Sequence, residues 1–360
     1  LTAGPSISQR EIDYVTDAVK NGWNSHMFDY KDKLENKFTQ YVGAKYALGV
    51  SGATGAMQLA LACLKIGRGD EVILPDLCFY AASDAVIHQG AKPVFVDVLP
   101  DTWCIDPDKI RKVITKRTKT IMPVYLYGNL CEMGEIVAIS KKYGLSILED
   151  AAPALGSIYY GKKPGTFGEF GAYSFQGAKI AVSGIGGMLV TNDKKHWEKA
   201  LMLNAHGQDP KRKFWQIQVA YSFHMSNLQA SLALAQLERI EKFVAKKNQI
   251  FEWYQDRLSK VEGISMNPHK PKTRSNKWMS CIVLNRKFKF TRDKLIKELG
   301  KHLIDARPFF YPVSMFPMYK EQNTPVAHHL GLNGINLPSG LNLEKEEVDY
   351  ICDVLIKLLT

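Results

Sequence analysis

The strongest constraint on the fold is an alternation running through the first two-thirds of the chain. Short apolar segments at 46–50, 71–74, 93–98, 120–126 and 146–149 read as strands. Helical spacing covers 12–19 and 34–41 ahead of them, and 56–64, 81–88 and 134–142 between them. Strands joined through helices at this spacing build βαβ units and a mainly parallel sheet. Such strands are covered on both faces, so they read as unbroken apolar runs, as Ile147-Leu148 and Met188-Leu189-Val190 do. The fold class is therefore α/β.

After Gly187 the pattern changes. Residues 227 to about 254 carry one helical periodicity (Leu228, Leu232, Leu237, Ile240, Phe243), long enough to bridge two lobes. A strand over 278–284 and helices over 292–299 and 344–359 follow, as in a smaller α/β lobe. A chain of 360 residues exceeds the usual single core. The expected division is a large domain over 1–250 and a small one over 251–360, with 268–276 the most linker-like stretch.

Hydrophobic residues at 46% and charged residues at 23% fit a globular enzyme rather than a disordered chain. No apolar stretch approaches the ~20 residues that span a bilayer. The start, Leu1-Thr2-Ala3-Gly4-Pro5-Ser6, lacks a basic segment followed by an apolar one, so no secretory signal is visible. The six scattered cysteines read as reduced thiols, with no metal site at the usual spacings, and the expected location is cytoplasmic. The net charge of +11 favours anionic partners. Its lysines and arginines are spread along the chain rather than interleaved with aromatics in one tract, so a solvated lysine-rich surface is the first reading, nucleic acid is the sharper alternative, and a phosphorylated small molecule fits the charge equally well.

Against this frame one lysine stands out. Lys179 ends Tyr173-Ser174-Phe175-Gln176-Gly177-Ala178-Lys179 and is the only charge between Gly171 and Thr191. A lone lysine in an apolar, Gly-rich stretch is an uncommon surface pattern, and burial would lower its pKa and make it a nucleophile and base. Asp150 follows the strand 146–149, at the carboxyl end where open α/β sheets bind ligands. Alone it would read as a strand-end acid capping a helix. Together the pair is what an aldehyde cofactor needs: an unprotonated amine for a Schiff base, and an acid that keeps a pyridine nitrogen protonated. The cofactor expected is pyridoxal phosphate (PLP). Ser51-Gly52-Ala53-Thr54-Gly55 follows a strand and opens a helix, which suits a dianionic phosphate. Ser174 could add a hydroxyl to it, and Phe79 could stack on a planar ring or be an ordinary core aromatic.

In this order the motifs resemble the DegT/StrS family of sugar-nucleotide aminotransferases, over almost the whole chain. The match runs from Gly4-Pro5-Ser6-Ile7 through Gly69-Asp70-Glu71-Val72-Ile73-Leu74-Pro75 and Gly90-Ala91-Lys92-Pro93-Val94-Phe95-Val96-Asp97. It continues through Glu149-Asp150-Ala151-Ala152 and Ser174-Phe175 to Lys179 and Gly186-Gly187-Met188. The resemblance implies the type I, aspartate-aminotransferase-like fold, with Lys179 and Asp150 as catalytic residues. It places Gly52, Ala53, Thr54 and Ser174 on the cofactor phosphate and Phe79 on the ring. Asn227 would reach the phosphate from a neighbouring subunit, giving a homodimer with shared active sites.

The C-terminal lobe narrows the resemblance. Arg307-Pro308-Phe309-Phe310-Tyr311-Pro312-Val313, Pro325-Val326-Ala327 and Gly334-Ile335-Asn336-Leu337-Pro338 are similar to the perosamine-forming branch, which aminates C4 of a GDP-4-keto-6-deoxyhexose with glutamate as donor. Arg307, Tyr311 and Ser314 are then the expected substrate-lobe residues. The chain departs from the family at Pro153, Ala53, Ile185, Ser314 and Tyr125, where a Gln, His or Glu, a Thr, a Glu, a His and a His are usual. Ser314 and Ile185 keep a UDP- or dTDP-4-keto-6-deoxyglucose, leading to a viosamine-type sugar, as the competing substrate. Amination at C3 is a further alternative. A sugar dehydratase of the same family would carry a histidine in place of Lys179, and a non-catalytic regulator or nucleic-acid binder would have no need of both Lys179 and Asp150.

Overall fold

The computed structural model describes residues 3–209 and 211–360; Leu1 and Thr2 of the starting segment lie outside them. Two helices, α1 (Gln9–Asn21) and α2 (Asp29–Val42), precede the sheet. Then follow β1 (Tyr46–Val50), α3 (Ala53–Cys63), β2 (Glu71–Pro75), α4 (Ala81–His88), β3 (Lys92–Val96), α5 (Pro107–Val113), β4 (Thr118–Ile121), α6 (Met133–Tyr143) and β5 (Ser146–Asp150). Next come β6 (Ile158–Tyr159), β7 (Phe170–Ser174), β8 (Gly187–Thr191), α7 (Lys194–Asn204), α8 (Asn227–Leu237) and α9 (Ile240–Leu258). The chain ends with β9 (Ile264–Met266), β10 (Thr273–Arg274), β11 (Cys281–Leu284), α10 (Arg292–Lys301), β12 (Arg307–Pro308), α11 (Pro325–Asn333), β13 (Gly334–Asn336) and α12 (Lys345–Leu359).

Seven strands form the large sheet in the order β1-β8-β7-β5-β4-β2-β3. All its pairings are parallel except those of β8, which runs antiparallel to both β1 and β7. The strands are buried on both faces. In β2, Val72 and Leu74 enter one core while Ile73 enters the other, and in β8 Leu189 opposes Met188 and Val190 in the same way. A four-stranded antiparallel sheet, β12-β13-β11-β9, packs with α10 and α12 around a third core. Helix α9 serves two of these cores: Ile240, Phe243 and Val244 face the large one, and Ile250, Tyr254 and Leu258 the small one. No helix among the described residues is long and apolar enough to cross a membrane.

Four expectations need correction. The run Met188-Leu189-Val190 is a doubly buried strand, but an antiparallel one. Strand β7 had no reading of its own, because Phe170-Gly171-Ala172-Tyr173-Ser174 mixes small and aromatic residues without an aliphatic run. The strand expected over 120–126 stops at Ile121. Pro123 has no N–H to give a ladder, and the chain turns through Tyr127, a non-glycine residue at φ 54.

The single helix expected over 227–254 is α8 and α9, broken at Glu238 and Arg239. Arg239 leaves helical geometry (φ −107, ψ 3), and its guanidinium reaches the Ser6 carbonyl at 3.0 Å and Glu11 at 2.6 Å. Glu11 is 1% exposed and also accepts from the Ser8 amide (2.7 Å) and from Gln236 (2.8 Å). Burial pushes its pKa up, but the bonds from Ser8, Arg239 and Gln236 outweigh it and pull the carboxyl down to about 2. A depressed carboxylate stabilises the fold above its unfolded pKa and loses that contribution as pH falls through its folded one. In acid titrations monitored by circular dichroism, the wild-type chain should lose about 2 kcal/mol of stability between pH 4.5 and 2 through this group alone. Glu11→Gln should be destabilised at neutral pH and lack that part of the slope. An identical acid profile in the variant would contradict the assignment.

Candidate active site

The carboxyl ends of β1, β7 and β5 meet at one edge of the sheet, and the loops leaving them carry most of the expected cofactor residues. Gly187 begins β8 at that edge, opposite Val50 on one side and Ser174 on the other. A Cβ on Gly187 would come 2.6 Å from the Gly52 carbonyl carbon and 2.7 Å from the Ala53 nitrogen. Only glycine lets the turn after β1 lie this close to the end of β7.

Gly52 enters α3 in extended backbone (φ 173), and no side chain caps the helix. Nothing lies within 4 Å of where a Gly52 Cβ would be, so the entry to α3 is open on that side. Uncapped N–H groups and the positive end of the helix dipole make a ready anion site. Ser174, 7% exposed, stands beside it and accepts a hydrogen bond from the Gln176 amide at 3.3 Å.

Asp150 ends β5, is 5% exposed, and accepts from the Ala152 amide at 3.1 Å. Burial pushes its pKa up, and the charge of Lys179 pulls against that. Lys179 lies between β7 and β8, where Gly177 and Gly184 pair across the loop (2.9 Å) and the Lys179 amide donates to Gln176 (2.8 Å). Burial lowers its amine to about 8, and the Asp150 charge opposes the drop. No ion pair engages this amine among the described residues. Its near neighbour is the indole of Trp278, whose ring centre lies 3.8 Å from Nζ. Sequence reasoning missed Trp278, having read it as the first residue of a core strand; β11 begins only at Cys281.

Trp278 belongs to an aromatic wall. Its ring centre is 6.0 Å from that of Tyr127, Tyr127 is stacked on Phe310 at 5.2 Å, and Phe310 is 5.3 Å from Phe79. Phe79 is exposed and lies 4.1 Å from Tyr80, just past the carboxyl end of β2. Tyr127 had no sequence signal beyond being aromatic, and Phe310 was noted only as part of the C-terminal run 307–313.

The remaining expected residues are placed as follows. Asn227, at the start of α8, accepts from the Tyr30 amide (2.9 Å) and donates to the His26 carbonyl (3.3 Å), so its own chain directs it to the α1–α2 junction. Arg307 is exposed on β12 and paired with Asp305 at 3.4 Å. The Tyr311 hydroxyl accepts from Arg292 at 2.9 Å. Ser314 is buried, and its amide and hydroxyl both donate to Asp76 at 2.8 Å. That hydroxyl fastens one segment to another rather than facing a ligand.

Tyr125 is buried and donates to Glu149 at 2.5 Å, behind Asp150. The Pro153 carbonyl accepts from Asn276 at 2.9 Å, and Ile185 is exposed. These residues fit pyridoxal phosphate: an open helix N-terminus beside a buried hydroxyl for the phosphate, a buried carboxylate for a ring nitrogen, and a desolvated amine for the aldehyde.

The model of the DegT/DnrJ/EryC1/StrS aminotransferase family matches residues 5–356. The chain belongs to that family. It is 37% identical to GDP-perosamine synthase of Caulobacter vibrioides over 99% of this chain and 97% of that protein. With GDP-perosamine synthase of Escherichia coli O157:H7 it is 39% identical, over 97% and 95%. Among solved structures, the PLP form of a putative sugar aminotransferase from Streptococcus pneumoniae superposes with a TM-score of 0.92 at 28% identity, over 99% of both chains. The protein is thus a PLP-dependent aminotransferase of the α/β class.

Gly187→Ala drives a methyl into the turn that opens α3, so this aminotransferase variant should bind pyridoxal phosphate at least about tenfold more weakly in a fluorescence titration. An unchanged dissociation constant would show that the α3 N-terminus does not hold the phosphate.

Proposed function

We propose that this aminotransferase moves an amino group from glutamate to C4 of a nucleotide-linked 4-keto-6-deoxyhexose, giving a perosamine- or viosamine-type sugar. The observation that carries the site is the desolvated amine of Lys179 within the field of the buried Asp150 carboxylate, at the sheet edge where α3 starts uncapped. The substrate class is supported by three relatives named GDP-perosamine synthase, 36–39% identical over nearly the full chain.

In this reading Lys179 and Asp150 are catalytic, and Gly52, Ala53, Thr54 and Ser174 hold the phosphate through backbone N–H groups and hydroxyls. Phe79 offers its face to the ring. Pyridoxal phosphate, when bound, supplies an aldehyde that takes up the donor's nitrogen and a protonated ring that withdraws electron density. Asp150 would keep the proton on the ring nitrogen through a charge-assisted hydrogen bond. The Lys179 Nζ would take the proton from the glutamate α-carbon and pass it to the cofactor's former aldehyde carbon in the first half-reaction, and in the second would take it back from there and put it on the sugar's C4. Its low basicity, near 8, lets it be neutral when it must accept and still competent when it must give.

The loops of the small lobe that carry Arg307 and Tyr311 fit a nucleotide diphosphate by charge and hydrogen bonding. Asn227, held at the α1–α2 junction, suits a contribution to the site of a second copy in a homodimer. We place the lobe division at 1–250 and 251–360, within α9, which packs into both cores.

The experiment is a panel of GDP-, UDP- and dTDP-4-keto-6-deoxyhexoses incubated with glutamate and read by mass and NMR. A 4-amino-4,6-dideoxy product on one of these nucleotides is expected; amination at C3, or no amination of any of them, would overturn the proposal. Lys179→Ala should lose turnover by several orders of magnitude together with the visible absorbance of the bound cofactor. Full activity in that variant would remove Lys179 from the mechanism.

A further inference from the structure

We propose that the indole face of Trp278 is the docking surface for the Lys179 ammonium, so that Trp278 acts as a positioning residue that holds the amine's proton between its two transfers. The inference rests on the reading of Lys179 as the acting amine and adds to it the place where that amine waits.

The geometry is specific. The Lys179 Nζ lies 3.8 Å from the indole centre. Trp278 is 4% exposed, so this cation–π contact is made in a desolvated setting, where such contacts are strongest. The indole is also tied to the lysine's own loop: its Nε1–H donates to the Ala178 carbonyl at 2.7 Å, one residue before Lys179.

The far side of Trp278 is fixed to the loop that follows Asp150. Its amide donates to Asn276 Oδ1 at 3.0 Å, and the Asn276 amide group donates to the Pro153 and Leu155 carbonyls, each at 2.9 Å. Its carbonyl accepts from the buried Lys247 at 2.9 Å. Trp278 is thus tied through its indole to the lysine's loop and through its backbone amide to the loop that follows Asp150, although it comes from 99 residues further along the chain than Lys179.

Few other charges face the amine. Asp150 on β5 acts on it through space, and the buried thiol of Cys78 lies within the field of the same carboxylate. Lys247 and Lys277 are engaged elsewhere. The first donates to the Trp278 and Ser339 carbonyls, and the second sits over the Phe251 ring at 3.8 Å and donates to Pro268. Their positive charge does not attract an ammonium. With Asp150 committed to the ring nitrogen in this reading, the indole face is the surface left to receive the new cation when Nζ takes a proton from the substrate carbon, and the same proton leaves from there.

A π face favours the charged form, so its removal should make Lys179 a weaker base. The test is the pH dependence of acetic anhydride labelling at the Lys179 peptide, read by mass spectrometry on the cofactor-free chain. Wild type is compared with Trp278→Leu and Trp278→Phe. The leucine variant should titrate about one pH unit lower. Phenylalanine keeps a ring while losing the Nε1–H bond, and should recover most of that shift.

A midpoint that is unmoved or raised in the leucine variant, or a phenylalanine variant no better than leucine, would overturn the proposal. Should Trp278→Leu fail to fold, Trp278→Phe against wild type decides: a midpoint within a few tenths of a unit of wild type supports the ring, and a full-unit drop refutes it. Failure of the underlying reading looks different: Lys179→Ala would then keep the cofactor's absorbance whatever Trp278 does.

Discussion

A desolvated amine is the feature on which this molecule turns. Moving the Lys179 pKa from 10.5 to about 8 corresponds to on the order of 3 kcal/mol against its charged form. A low pKa alone does not mark the site. Burial also lowers Lys163 to about 8, Lys247 to about 7 and Lys277 to about 8. Lys247 spends its protons on two carbonyls, Lys277 lies over Phe251, and Lys163 lies over Tyr41 beside Glu241. Only Lys179 combines desolvation with a buried carboxylate and an open helix start.

The two lobes are joined where that chemistry needs them. Asp76, completely buried just beyond β2, accepts from the Ser314 amide and hydroxyl at 2.8 Å and from Thr324 at 2.5 Å. Asp97, beyond β3, accepts from the Ala327 amide at 2.8 Å and the Val326 amide at 3.2 Å, at the start of α11. Two carboxylates on neighbouring parallel strands thereby fasten the small lobe's loops over the sheet edge. The same segment carries Phe310 and Tyr311, so the wall from Phe79 to Trp278 is assembled across the join. Bonds to charged acceptors of this kind contribute more than neutral ones, which suits a seam that must not drift.

Much of the fold was legible because its signals are local. Apolar runs and helical spacing placed β1, β2, β5, α4 and α12 within a residue or so. Lys179 and Asp150 stood out because a lone charge among apolar and glycine residues is informative wherever it occurs. What escaped depends on partners distant in sequence. The break between α8 and α9 comes from Arg239 reaching back to Ser6 and Glu11, and no periodicity records that. Trp278 looked like strand core because the residue its ring meets, Lys179, lies 99 residues earlier in the chain. Ser314 was read as a substrate-lobe residue from the resemblance, and nothing near it in sequence announces that Asp76 will take both its amide and its hydroxyl.

The central claim is that one amine out of several perturbed lysines acts. Trapping the bound cofactor with borohydride and mapping the labelled peptide tests it without any substrate. The account requires a single stoichiometric adduct on the peptide containing Lys179. Label on Lys163, Lys247 or Lys277 instead, or spread among them, would contradict it.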